Sequence, residues 1–366
     1  SRGMLKSLLL KPFPTGSVVS DSSSMPKRPG GTSRRPTIRD VAADANVSKT
    51  SVSRYFGAER ERLSPELKDR IAASVERLGF APDRIAASLR GGRTRLIAAL
   101  VADLRNPYSV AVIRAAEMAC MDAGYSLMIC NTDNDPAIER RQLAALDGYS
   151  VEGLIVNTAS GDASALSELS EQGLPIVLVD RRIPDLACDV IGLDDGQAVA
   201  DCVDHLIGQG FTHLSLVSEP VAGISPRESR VAGFRAICRD RGVDHDWHEL
   251  EADEPGAFDR LVAECLAETP NTAILTANGV MTLAVCHAMN RAGPDAFARL
   301  GLLGIDELDW CALVGPGVST LAQPVDAIGR HAVRALLGRL SGTLTTPASE
   351  QRLPGRLIPR GSTRHG

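Results

Sequence analysis

The chain has 366 residues, 44% hydrophobic and only 4% aromatic, which predicts two or three domains with aliphatic cores. No apolar run is long enough to cross a bilayer. The net charge of −5 excludes a uniformly basic nucleic-acid binder but hides an asymmetry: residues 27–95 carry +8 and residues 96–366 carry −15, as expected of a phosphate-binding head on an acidic regulatory body.

Residues 1–35 are rich in Ser, Pro, Gly and Arg and read as a disordered extension. The opening SRGMLKSLLLKPF lacks the apolar core and cleavage site of a signal peptide, and Met25 is a plausible start. Structure is predicted from residue 36. Thr37 and Asp40 have the spacing of a capping box for a helix ending near Ala45. Asn46-Val47 breaks the pattern, and Ser48 caps a short helix from Lys49 to Tyr55. Ser64-Pro65-Glu66 then opens a third helix, with Leu67, Ile71, Val75 and Leu78 on one face and Gly79 as its stop. Residues 36–82 thus form a small three-helix unit. DRIAASLR and Gly91-Gly92 make residues 83–94 a short helix and a flexible joint.

From residue 95 the grammar changes. LIAALVADL, YSLMIC, VEGLIV, PIVLVD, HLSLV, TAILTA and RLGLLGI read as buried strands. Helical stretches lie between them, the first two from about Ser109 to Ala123 and from Pro136 to Asp147. Strands alternating with helices predict parallel sheets, and residues 95–366 suffice for two such lobes. The eight cysteines show no C-x-x-C spacing and read as reduced thiols of a cytoplasmic protein. No P-loop, nucleophile elbow or metal-ligand cluster appears, so catalytic, cofactor and metal residues are expected to be absent.

The order PTIRDVAADANVSKTSVSRYF, SPELKDRIAASVERLGFAPDRIAASLR and an α/β body resembles the lactose-repressor family of bacterial transcription regulators. The likeness runs from Thr37 to Thr363 and includes RNPYS, RVAGF, LLGIDE and a terminal RGST. It implies a helix-turn-helix head, and a body like periplasmic binding proteins with two doubly wound lobes. The second helix would read the major groove of a pseudo-palindromic operator, with Lys49, Thr50 and Arg54 at base-reading positions. Ser48, Ser51 and Ser53 would donate to phosphates, although Ser48 equally serves as a cap, and Thr37 is a further DNA-binding candidate. DRIAASLR resembles the hinge helix, with Leu89 as the minor-groove wedge and Ala86 as the small residue that lets paired helices pack. Asp83 and Gly57 depart from the family's usual asparagines.

The resemblance also implies an effector cleft between the lobes, at strand C-termini. Asn106, Tyr108, Asp195, Arg230, Asn278 and Asp306 match its positions. Arg230 is the leading candidate, with a helix salt bridge as its plain alternative; Asp195 alternatively serves the lobe joint. SEPVAGISPRESR, TANGV and IDELDWCALVGPGVSTLAQP look like the branch that senses ketogluconate and keto-deoxygluconate. Trp310 could stack on a ligand. Arg227 and Arg230, three apart on one helix face, favour an acid such as 2-ketogluconate over a neutral sugar. A homodimer is expected, without a membrane partner. A transport binding protein would need an export signal and no head, and an enzyme would need a catalytic motif.

Overall fold

The computed structural model describes residues 36–57, 59–80, 93–158, 163–252, 254–268 and 271–364. The expected extension 1–35 and hinge positions Asp83, Ala86 and Leu89 lie outside the described residues. The chain divides into two units, Ser1–Asp83 and Arg84–Gly366.

In the first unit, α1 spans Ile38–Asp44, α2 Lys49–Tyr55 and α3 Pro65–Leu78. The caps explain these limits. The Thr37 amide and hydroxyl both donate to Asp40 Oδ2, each at 2.7 Å. Ser48 Oγ accepts from the Ser51 amide at 3.0 Å, and Ser64 Oγ from Leu67 at 3.3 Å. Gly79, at φ +58, ends α3 in the left-handed region. Asn46 also takes a positive φ, which asparagine tolerates, and so turns α1 into α2. Val41, Ala42, Ala45, Val52, Leu63 and Ile71 form the core. Arg70 fastens α3 to the turn by donating to the carbonyls of Ala45 and Asn46, at 2.7 and 2.8 Å.

The second unit holds two six-stranded sheets. Its strands are β1 (Leu96–Val101), β2 (Ser126–Asn131), β3 (Gly153–Val156), β4 (Ile176–Val179), β5 (Asp189–Leu193), β6 (His213–Ser218), β7 (Asp244–Glu249), β8 (Thr272–Thr276), β9 (Gly301–Ile305), β10 (Ser319–Ala322), β11 (Glu350–Leu353) and β12 (Arg356–Ile358). Lobe 1 has the order β11-β5-β4-β3-β1-β2 and lobe 2 the order β12-β10-β9-β8-β6-β7. All pairs are parallel except β10 with β12. Central strands such as Gly153–Val156 and Thr272–Thr276 are buried throughout, as the unbroken apolar runs require.

The chain crosses between lobes three times. It leaves lobe 1 after β5, returns after β10 into the helix Val325–Leu340, and leaves again between β11 and β12. The Val325–Leu340 helix packs on Pro107–Asp122 in lobe 1. Gly329 is why they can approach: a Cβ there would stand 2.5 Å from the Val112 carbonyl oxygen. The terminal RGST closes lobe 2. Arg360 pairs with Glu307, Ser362 Oγ donates to Leu302 O at 2.6 Å, and Thr363 Oγ1 meets His205 Nε2 at 2.9 Å. All eight cysteines are free thiols, six of them buried.

Candidate functional site

On the head, Ser48, Lys49, Thr50, Ser53 and Arg54 are exposed, and Thr37 and Ser51 are half-buried. Val52 points inward, so α2 buries one stripe and presents the other to solvent. Three of the expected contacts also have internal work. The Ser48 and Ser51 hydroxyls lie 2.9 Å apart over the α2 N-terminus, and Thr37 serves the α1 cap. Arg54 Nε lies 3.0 Å from a Glu59 carboxylate oxygen. Any base contact by Arg54 therefore competes with Glu59, a surface pair of small energy.

The body has a cavity of about 500 Å³ lined by residues of both lobes. Lobe 1 brings Asp103, Arg105, Asn106, Tyr108, Asn157, Asp180 and Arg181; lobe 2 brings Glu219, Arg227, Gly279, Leu308 and Trp310. Of the residues expected from sequence, Asn106, Tyr108, Arg227 and Trp310 line it. Asp195, Arg230, Asn278 and Asp306 do not; they stand behind the wall, bonded to residues that do or to one another.

The elements explain these placements. Asn106 and Asn278 each cap a helix that starts at the cavity, accepting from Tyr108 at 3.0 Å and Met281 at 2.9 Å. Asp306 Oδ2 accepts from the Gly279 amide at 2.8 Å, and Oδ1 from Gln323 Nε2 at 2.7 Å. Arg230 is 5% exposed. Its Nε donates to Asp195 Oδ1 and its Nη1 to the Ala277 carbonyl, both at 2.7 Å. Its sequence neighbour on the same face, Arg227, donates instead to Glu219 at 2.7 Å and to the Pro220 carbonyl at 2.8 Å. The two arginines thus do not converge as one anion clamp, because each already holds a carboxylate.

Sequence reasoning missed Asp180, Arg181, Glu219 and Gln323. Asp180 and Arg181 follow β4 directly, and the C-terminal edge of an apolar parallel strand was the available signal. Asp180 takes φ +69, and its Cα lies 3.2 Å from where a Cβ on Gly192 would be. A Cβ on Gly192 of β5 would crowd that backbone.

Four buried polar atoms here have no hydrogen-bond partner: Tyr108 OH, Asp180 Oδ1, Arg230 Nη2 and Gln323 Oε1. Burial pushes the Asp180 carboxyl up to about 6, against the pull of Arg230 and with the push of Asp195. Burial likewise raises the Tyr108 phenol, helped by Asp180. Burial opposes charge on Arg230, but Asp195, Asp180 and Asp306 more than offset this and keep it protonated. Tyr108 and Asp180 bring a donor and an acceptor to the cavity wall, and Arg230 and Gln323 stand behind it.

Residues 37–83 match the bacterial regulatory proteins of the lacI family, and residues 203–363 match the periplasmic binding protein-like domain. The chain is 46% identical over 330 residues to the HTH-type transcriptional regulator PtxS of Pseudomonas plecoglossicida, covering 90% of this chain and 96% of that one. This chain belongs to the lacI family. It is a DNA-binding transcriptional regulator. It is also 34% identical to the regulator KdgR of Bacillus subtilis over 335 residues, covering 90% and 98% of the two chains. In fold it resembles the lac repressor bound to ONPG in its repressed state, with a TM-score of 0.75 at 22% identity, covering 90% of this chain and 100% of that one. Among the described residues, no helix is long and apolar enough to cross a membrane.

Proposed function

We propose that this lacI-family regulator is a cytoplasmic repressor whose operator binding is controlled by a sugar acid, 2-ketogluconate being the best candidate, held in the cavity between the lobes. The observation that carries the reading is the set of four unpartnered buried polar atoms on Tyr108, Asp180, Arg230 and Gln323. Buried polar groups normally have partners, so an unmatched set beside a cavity fits a ligand rich in hydroxyl and keto oxygens. The relatives of 46% and 34% identity are transcriptional regulators, which supports the same role here.

In this reading residues 36–82 form the head, 83–94 the hinge and linker, and 95–366 the effector-binding and dimerisation body. Lys49, Thr50 and Arg54 read bases; Thr37, Ser48, Ser51 and Ser53 meet phosphates. Ala86 and Leu89 pack and wedge in the minor groove, an assignment that rests on the resemblance. Asn106, Tyr108, Arg227 and Trp310 line the effector site, backed by Asp195, Arg230, Asn278 and Asp306. Effector binding alters the lobe angle and so couples the cavity to the operator. Val110, Met118 and Met121, exposed on one face of the Pro107–Asp122 helix, support a homodimer.

The test is a mobility shift on the protein's own upstream DNA, with 2-ketogluconate, neutral sugars and nucleosides added in turn. A specific complex released by the sugar acid alone is expected. No specific complex, or release by a neutral sugar or nucleoside instead, would overturn the reading. Leu89→Ala is expected to weaken operator binding while leaving effector affinity at the parental value by calorimetry; parental operator affinity would remove the wedge.

A further inference from the structure

A sugar acid differs from the matching neutral sugar by one carboxylate, and the charges around the cavity point to where that group binds. Arg230 holds Asp195 at 2.7 Å, with Asp180 and Asp306 also acting on its charge. One guanidinium among three carboxylates suits hydroxyl donors and repels a further acid. On the cavity wall, Arg227 holds Glu219 at 2.7 Å and Arg105 holds Asp103 at 3.0 Å. Arg181 differs from all three. It lines the cavity, yet among the described residues no carboxylate lies within ion-pair distance of it.

Its surroundings are arranged to hold it in that condition. Nη1 donates to the Thr158 carbonyl at 2.5 Å, which fixes the guanidinium plane. Two nearby acids are committed to other donors. Glu219 Oε2 accepts from Arg227 and, at 2.6 Å, from Asn278; buried Glu139 accepts from the Thr158 hydroxyl at 2.9 Å. Burial pulls the Arg181 guanidinium below its usual range, with Asp180 only partly restoring it. A desolvated cation without a bonded counter-ion is what an incoming carboxylate stabilises most, and a planar fork can donate to it in two parallel bonds.

We propose that Arg181 is the specificity-determining residue of the cavity, binding the effector's carboxylate while Tyr108 and Asp180, which also line it, take its hydroxyl and keto oxygens. This rests on the sugar-acid reading above.

The test is calorimetry on the full chain with 2-ketogluconate and with D-fructose, which carries a hydroxymethyl group where the acid has its carboxylate. The parent is expected to prefer the acid. Arg181→Gln should weaken acid binding by about 10- to 100-fold and leave fructose binding at the parental value. Added salt should weaken acid binding more in the parent than in Arg181→Gln. Should Arg181→Gln melt well below the parent, Arg181→Lys decides: it keeps the charge, loses the fork and should lower acid affinity alone. A parent that prefers the acid, with variants that keep the whole preference, overturns Arg181 and spares the sugar-acid reading. A parent without any preference overturns both.

Discussion

At the residue scale, the cavity's chemistry turns on side chains that folding alone leaves unmatched. Tyr108 OH is buried without a partner, so its cost is already present in the free protein. Tyr108→Phe should therefore keep or slightly raise the melting temperature while weakening effector binding by about 3- to 10-fold. Calorimetry and thermal melting on one preparation check both halves; a lower melting temperature would show that the hydroxyl serves the fold. Asp180 adds a pH dependence. Between the ordinary aspartate value and about 6, the folded protein holds a proton that the unfolded chain has lost. Its contribution to stability therefore falls as pH rises through that window. An effector hydroxyl donating to Asp180 favours the ionised form, so binding just below pH 6 should release a proton. Calorimetry in two buffers of different ionisation heat measures that release, and equal heats would show that binding does not shift the Asp180 carboxyl.

At the element scale, close packing sets the tolerances. Gly329 brings the Val325–Leu340 and Pro107–Asp122 helices into backbone contact, with Val112 O, Ala115 Cβ and Ala116 N all within 2.8 Å of a hypothetical Cβ. Gly329→Ala should cost about 1–3 kcal/mol, read as a melting temperature a few degrees lower. An unchanged melting temperature would mean that the helices part freely. What the sequence could show follows the same logic. The helix α2 was legible to its ends because Ser48 caps it and local chemistry decides its start. β7 was not, since DHDWHE is polar and becomes a strand only by pairing with β6 at the sheet edge. The short β11 and β12 depend likewise on β5 and β10, partners far away in sequence. Arg230 was legible as a cleft residue, but its pairing with Asp195 was not, because that bond joins two helices 35 residues apart. Arg181 lacked a motif altogether; its meaning comes from the acids that its neighbours have taken.

At the scale of the whole molecule, three chain crossings join the lobes. One linker would allow one lobe to tumble over the other, whereas three at one joint restrict them to bending and twisting about it. Ligand contacts on both walls of the cavity can thus be converted into a directed movement. A dimer would carry that movement outward through the exposed face of the Pro107–Asp122 helix. Met118, 51% exposed, tests this. Met118→Arg should shift the protein toward monomer in sedimentation and leave the effector affinity of each chain intact; an unchanged mass would place the contact elsewhere. The interleaved topology also has a consequence during synthesis. The head needs only residues up to Gly79, so it can fold early on the ribosome. Neither lobe can do so: β11 finishes the first sheet and β12 the second, and each follows all the other strands of its sheet. A nascent chain therefore carries a finished DNA-binding head well before either lobe of the body is complete.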